Sequence, residues 1–236
     1  MASERAEAAV TPPTSSRRRI PTQARSRRKV EHILDTTARL VVERGVESLT
    51  TRDIALASGV PVASLYQYFA DKEEVLLALA ERDMAEMDAQ VVADLLELRV
   101  LTLEGLVRTT MQAFVSVYRR RRAFVEIYLR GRSNAAVHQF GREHNARVAQ
   151  MLRDFAIEQG LAEPTMPQVS ATLAVEIGDR VFQLAYEHAD DGDSELVEEG
   201  ITLVTAYLER YATPAGIAGI ERSNGTTGPT HPGEQP

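Results

Sequence analysis

An all-α fold of about nine helices is predicted by three observations on this 236-residue chain. No stretch alternates apolar and polar residues with the period of two expected of a strand, whereas apolar residues recur at helical spacing almost throughout. The periodic stretches are separated by glycine, proline and capping residues. The composition, 44% hydrophobic and 26% charged, is that of a globular chain able to bury a core at this length.

The first helix is expected from about Thr22 to Arg44, with Val30, Ile33, Leu34, Thr37, Ala38 and Val41 on one stripe and Gly45 as its stop. A short second helix follows Thr50, whose hydroxyl can cap it, and Asp53 in its first turn suits the positive helix terminus. It carries Ile54, Ala55 and Ala57 and breaks at Ser58 to Pro61. A third helix, Val62 to Phe69, is just over two turns long. Asp71 then opens a fourth, with Glu74 reaching back as in a capping box and an apolar series Val75, Leu76, Leu79, Met84, Met87, Val91 and Leu95. That helix spans roughly 27 residues, or about 40 Å at 1.5 Å per residue. Five more are expected at about 103–119, 123–130, 134–158, 166–189 and 195–212, punctuated by Gly131, Gly160, Pro164 and the Asp190 to Ser194 loop.

Residues 1–21 lack periodicity and read as a disordered basic arm, and residues 213–236, with four Pro and five Gly, as a disordered tail. The net charge of -7 is unevenly spread. Residues 1–75 carry 12 basic against 10 acidic side chains, leaving 15 against 24 for the remainder, and residues 1–30 alone hold eight basic and two acidic. A basic end before an acidic body suits a chain that meets phosphate at one end only. The longest apolar run, Val75 to Ala80, is too short to span a bilayer, and no apolar segment follows Arg17 to Arg19 as a signal would require. A cytoplasmic, membrane-free protein is therefore expected. The absence of cysteine removes disulfides, thiolate nucleophiles and thiolate zinc sites.

Two short helices joined by a four-residue, glycine-containing turn form a candidate helix-turn-helix, though many helical hairpins share that pattern. On a helical wheel Leu65 and Phe69 mark the buried side of the third helix, Ala63, Ser64 and Gln67 point away, and Tyr66 and Tyr68 fall on the flanks. Small and polar residues between two phenol hydroxyls suit a helix that reads base edges centrally and grips phosphates at its sides.

Residues 49–79, LTTRDIALASGVPVASLYQYFADKEEVLLAL, resemble the DNA-binding segment of the TetR family of bacterial transcription regulators. The Thr-Arg-Asp-Ile-Ala start, the Ala-Ser-Gly-Val turn, the Ser-Leu-Tyr-Gln-Tyr-Phe helix and the Asp-Lys-Glu-Glu opening carry the resemblance, which covers about residues 25–80. Pro61 departs from it, standing where the family often has a capping Ser. The resemblance implies a three-helix helix-turn-helix DNA-binding domain at 22–71 and a helical ligand-binding and dimerisation domain at 72–212. It assigns phosphate contacts to Thr51, Ser64, Tyr66, Tyr68 and Lys72, and base proximity to Arg52, Val62, Ala63 and Gln67. Lys72 would sit where a helix N-terminus already favours an anion, Arg52 can fork to guanine or pair with a local carboxylate, and Gln67 can pair with adenine. The cluster from Arg17 to Lys29 reads as an arm along the backbone or minor groove, or as a solvated charge run.

In the acidic body, eight of the 13 aromatics lie between residues 102 and 190, where packing alone would account for most of them. The resemblance implies a ligand cavity here, for which Met87, Val91, Phe114, Tyr118, Tyr128 and Phe182 are candidates. The eighth helix has an apolar arc broader than one packing partner needs and the ninth is apolar on one side; burial against their own domain would account for this, whereas the resemblance makes them a four-helix dimer interface that includes Val181, Gly200, Ile201, Val204 and Leu208.

Enzymatic constellations are not found. Glu176 and Arg180 have the spacing of a surface ion pair, His138 and His144 are off the spacing of a helical metal pair, and Asp190, Asp191, Asp193 and Glu195 suit a helix cap better than a calcium loop. The run Arg119 to Arg122 reads as a solvated helix junction. The expectation is a homodimeric, cofactor-free repressor, active at the bacterial nucleoid, that a small molecule releases from a pseudo-palindromic double-stranded operator. The alternatives are an activator or ligand-independent regulator and, in a different class, a helical protein-interaction module or enzyme.

Overall fold

The computed structural model describes residues 24–131 and 134–221, so the expected arm at 1–21 and residues 222–236 of the expected tail lie outside the described residues. The helices are α1 (Ala24–Arg44), α2 (Thr51–Ala57), α3 (Val62–Leu65), α4 (Lys72–Glu97), α5 (Leu103–Arg120) and α6 (Arg122–Phe124), the last running into a π-helical turn, Val125–Leu129. They continue with α7 (Ala135–Glu158), α8 (Gln168–Ala185), α9 (Ser194–Leu208) and α10 (Pro214–Ala218). A two-residue ribbon pairs β1 (Val100–Leu101) with β2 (Ile220–Glu221), antiparallel. Among the described residues no helix is long and apolar enough to cross a membrane.

Local chemistry sets the helix starts. Thr50 and Asp53 form a reciprocal capping box on α2, each side chain accepting from the other's backbone N–H. At α4 the reciprocity is displaced by one residue: Asp71 accepts from the Glu74 N–H at 2.8 Å, but Glu74 accepts from Ala70 rather than Asp71, at 2.6 Å. Thr102 caps α5, Asn134 caps α7, and Asp193 caps α9 through the N–H groups of Glu195 and Leu196.

Several expected boundaries shift. The third helix ends at Leu65, not Phe69, because Gln67 and Tyr68 bond to carbonyls three residues back; Phe69 is buried, as its four-residue spacing from Leu65 predicts. The eighth and ninth helices are shorter than expected, and a 3₁₀ turn, Glu209–Tyr211, follows α9. Residues 213–221 are not a disordered tail. Thr213 caps α10 while donating to the Gly160 carbonyl, and the chain then pairs with β1.

One continuous core includes Ile33, Ile54, Leu65 and Phe69 of the N-terminal helices, Leu76 and Met87 of α4, and the inner faces of α5 to α9. Helix α4 thus runs from the short helices into the body, packing on α1 near its start and on α5 and α7 beyond. Close helix approaches in the body need glycine. A β-carbon at Gly141 would lie 2.4 Å from the Tyr128 ring, and one at Gly200 would lie 2.5 Å from Cγ1 of Val181.

Candidate nucleic-acid interface and interior cavity

The helix-turn-helix hides its apolar side completely, with Leu65 and Phe69 buried, and leaves the opposite side open. Arg52, Val62, Ala63, Tyr66 and Gln67 are exposed, while Thr51, Ser64, Tyr68 and Lys72 are half-buried. The Thr51 and Tyr66 hydroxyls are hydrogen-bonded at 3.1 Å, so the first turn of α2 and the end of α3 are tied directly. Lys72 Nζ donates to the Val46 carbonyl at 3.3 Å, which stations a cation at the start of α4. Arg52 makes no ion pair with a described residue; its charge, with that of Arg44, adds to the Thr50 hydrogen bond that holds the Asp53 carboxyl below its usual value.

A charge network that the sequence reading missed joins this unit to the body. Arg82 on α4 bonds Asp35 of α1 at 2.7 Å and Glu31 at 3.3 Å, and it also contacts Asp83. Asp83 is 1% exposed; burial pushes its carboxyl above the usual range, against the pull of Arg82 and Arg121. Arg121 pairs with Glu86 as well. The signal was present in the spacing, because Asp83 occupies a core position in the four-residue series Val75, Leu79, Met87, Val91. The expected solvated run Arg119 to Arg122 is therefore partly structural, with Arg120 and Arg121 on Glu86 and Arg122 on Asp190 and Asp191. Glu176 and Arg180 do not pair; Glu176 accepts from Asn145 and Arg180 donates to Gln183.

Within the body, α5, α7, α8 and α9 line a partly open apolar cavity of about 90 Å³. Of the six candidate pocket residues the structure brings Phe114 and Phe182 to its wall, their rings 5.9 Å apart. Met87 and Val91 do not reach it: both are 1% exposed on α4, which contributes nothing to the lining, and they fill the core instead. Tyr118 and Tyr128 lie off the wall, packed on Phe124 at centroid distances of 5.8 and 5.2 Å. Burial raises both phenol pKa values. The wall includes residues the sequence reading passed over, among them Thr110, Asn145, Arg153 and Asp179. Burial pushes the Asp179 carboxyl up to about 6, against hydrogen bonds from Tyr128 and Gln183.

The five residues assigned to a dimer interface are largely spent within the protomer. Gly200 receives the Val181 side chain, Ile201 is 1% exposed, and Val204 and Leu208 line the cavity. A wheel cannot say which neighbour covers an apolar arc, and here it is α8 against α9. The leucines left open are Leu173 and Leu184 on α8 and Leu196 and Leu203 on α9, from 39% to 55% exposed, beside Val169 of α8 at 61%. Counted at 100° per residue from the Val181 to Gly200 contact, all four turn to the same side of this antiparallel pair.

Among the described residues no cluster of side chains could hold a metal. Residues 33–79 match the profile of bacterial regulatory proteins of the tetR family, and residues 102–208 match that of the tetracyclin repressor-like C-terminal domain. The crystal structure of a TetR-family transcriptional regulator from Streptomyces coelicolor superposes with a TM-score of 0.65 at 30% identity, covering 78% of this chain and 98% of that one. The transcriptional repressor KstR2 of Rhodococcus jostii is 38% identical over 108 residues, which is 44% of this chain and 50% of that protein. The repressor AcnR of Corynebacterium glutamicum is 38% identical over 64 residues, 27% of this chain and 34% of that protein. The chain spans half or less of the length of these curated relatives.

Proposed function

Since the chain belongs to the TetR family of bacterial transcription regulators, we propose that it binds operator DNA as a homodimer and represses transcription until a small molecule fills the interior cavity. The observation that carries this reading is the division of α3 into a buried side, Leu65 and Phe69, and an exposed side of Ala63, Tyr66 and Gln67 flanked by Lys72 and Arg52. Base edges accept Gln67 and Arg52, and phosphates accept the hydroxyls of Thr51, Ser64, Tyr66 and Tyr68 and the Lys72 ammonium. Val62 and Ala63 offer apolar contact to thymine methyls. A cytoplasmic location follows from such a role.

The dimer would form on the face of Leu173, Leu184, Leu196 and Leu203, joining α8 and α9 of each copy into a four-helix bundle about a two-fold axis. Two recognition helices so related meet successive major grooves about 34 Å apart, or a multiple of that, which makes a pseudo-palindromic site the natural target. Repression in KstR2 and AcnR favours the repressor reading over activation.

The test is a footprint on the DNA upstream of the gene, followed by a salt titration. Log affinity should fall linearly with log salt, in proportion to the phosphates contacted. A hairpin used for protein interaction would leave no footprint and no such slope.

A further inference from the structure

Two charged side chains stand in the cavity wall, Arg153 and Asp179, and their circumstances differ. Arg153 is occupied. Its Nε donates to the Met166 carbonyl at 2.8 Å and its guanidinium pairs with Asp154 at 3.1 Å. It also lies eight residues from Asn145 along α7, about 12 Å away from the Asp179 end.

Among the described residues Asp179 has only neutral donors. Gln183 Nε2 reaches it at 2.8 Å and Tyr128 hydrogen-bonds it from the π-helical turn. The other groups that face it are Glu176 on its own helix, His138 and Asn145 from α7, and Tyr118 from α5. Glu176 repels its charge and His138 attracts it, though the His138 ring nitrogen Nε2 is itself engaged at 2.9 Å with the Gly131 carbonyl. No described cation forms an ion pair with Asp179, and a carboxylate offers about four acceptor sites, of which two donors use only part. Across the same wall, Thr110 is 9% exposed and its buried hydroxyl has no hydrogen-bond partner. Such a group normally finds one, in the protein, in water or in a ligand.

We propose that the molecule taken by this cavity is a lipophilic amine, an apolar body with one cationic nitrogen that pairs with the Asp179 carboxylate while the Thr110 hydroxyl supplies a second polar contact. The proposal rests on reading the cavity as the effector site and adds the chemical class of the effector. A cation compensates a buried carboxylate that no described cation pairs with, a neutral alcohol only solvates it, and a carboxylate ligand meets repulsion.

The experiment is calorimetric titration of the full chain with octylamine, 1-octanol and octanoate at pH 7.5. Octylamine should bind about 10-fold or more tighter than octanol, since a charge-assisted bond replaces a neutral one, and octanoate should bind weakest. Asp179→Asn should bring octylamine down to the level of octanol and move octanol itself less than about 3-fold. A second measurement needs no variant: octylamine affinity should fall toward tenfold per pH unit below about 6, where Asp179 takes up its proton, while octanol stays flat. Octanol binding as tightly as octylamine, an Asp179→Asn protein that keeps its amine affinity, or a flat pH profile overturns the proposal. Binding of upstream DNA is followed on the same preparations. Asp179-dependent amine binding that leaves DNA affinity untouched upholds the ligand class and defeats the effector role, whereas DNA release with no preference for the amine does the reverse.

Discussion

The hydroxyls of Thr51, in the first turn of α2, and Tyr66, at the end of α3, lie 3.1 Å apart on the exposed side of the helix-turn-helix. Each helix is too short to hold its own orientation, and this bond fixes one against the other where both hydroxyls can also reach a phosphate. Removing the phenol oxygen with Tyr66→Phe loses the tie and, on the proposed mode of operator binding, the phosphate contact as well, without touching a base. Operator affinity should drop by about 3- to 30-fold, the worth of one or two hydrogen bonds, and by similar factors for every operator variant. Gln67→Ala should instead change which bases are tolerated. Binding measured across a panel of single-base operator variants separates the two, and a uniform loss for Gln67→Ala would remove it from base readout.

The surface of α8 and α9 gives opposite expectations for neighbouring residues. Leu203 is 55% exposed, so Leu203→Arg should leave the protomer folded and abolish the dimer, seen as a halved mass in light scattering. Gly200→Ala acts within the protomer, because the new methyl would sit 2.5 Å from Val181 Cγ1 and force the two helices apart at a cost of about 1–3 kcal/mol. Val181→Ala in the same chain should restore part of the lost thermal stability. A dimer that survives Leu203→Arg at micromolar concentration rules out this face.

These two cases also mark how far the sequence could be read. The helix-turn-helix was legible because its information is local: the Thr50 and Asp71 caps, the Gly45 stop and the Leu65 and Phe69 spacing each act within a few residues. Where it failed locally, at the end of α3, the backbone changes to bonds three residues back at Gln67 and Tyr68, which the spacing of apolar residues does not disclose. The cavity and dimer residues depend on which helix covers which stripe. Gly200, Val204 and Leu208 share an arc with Leu196 and Leu203, and only the packing of α8 and α5 on α9 divides that arc into a buried and an open half. Asp83 was readable in principle, as an acid in a core register, but its partners come from α5 and, through Arg82, from α1.

Asp179 makes stability depend on pH in an unusual direction. Its folded-state pKa, about 6, is above the ordinary 3.8, so between those values the folded protein binds more protons than the unfolded chain. This group therefore lowers stability as pH rises through that window and leaves a constant penalty above it. Asp179→Asn keeps a side chain able to meet Gln183 and Tyr128 but cannot ionise. It should raise stability at pH 7.5 by on the order of 1–2 kcal/mol, with the gain shrinking toward zero near pH 4. Urea melts of both proteins across pH 4 to 8 would show this, and equal stability at every pH would mean that the carboxyl is not strained by its surroundings.

A signal from cavity to DNA needs a helix that touches both the cavity wall and α4. Helix α4 carries Lys72 at one end but has no residue in the cavity wall, so a ligand cannot push it directly. Replacing Met87 or Val91 by Trp would thus report overpacking of a full core rather than induction. Helix α7 does both jobs. Its Asn145 lines the cavity, and the adjacent His144, 3% exposed, meets Asp88 of α4 at 2.8 Å. At its start, the Asn134 side chain reaches the Glu73 carbonyl at 3.4 Å, one residue from Lys72. A ligand that shifts α7 would therefore turn α4 and change the spacing of the recognition helices. Linkage then requires operator DNA to weaken that ligand by the factor with which the ligand weakens DNA. His144→Leu removes the bond to α4 while leaving the cavity wall in place. Ligand affinity without DNA should stay within about 3-fold of the parent protein, and the coupling between ligand and operator, about 5- to 150-fold in systems of this kind, should collapse toward one. Full coupling in His144→Leu would direct the signal through α5, the other helix that touches both α4 and the cavity.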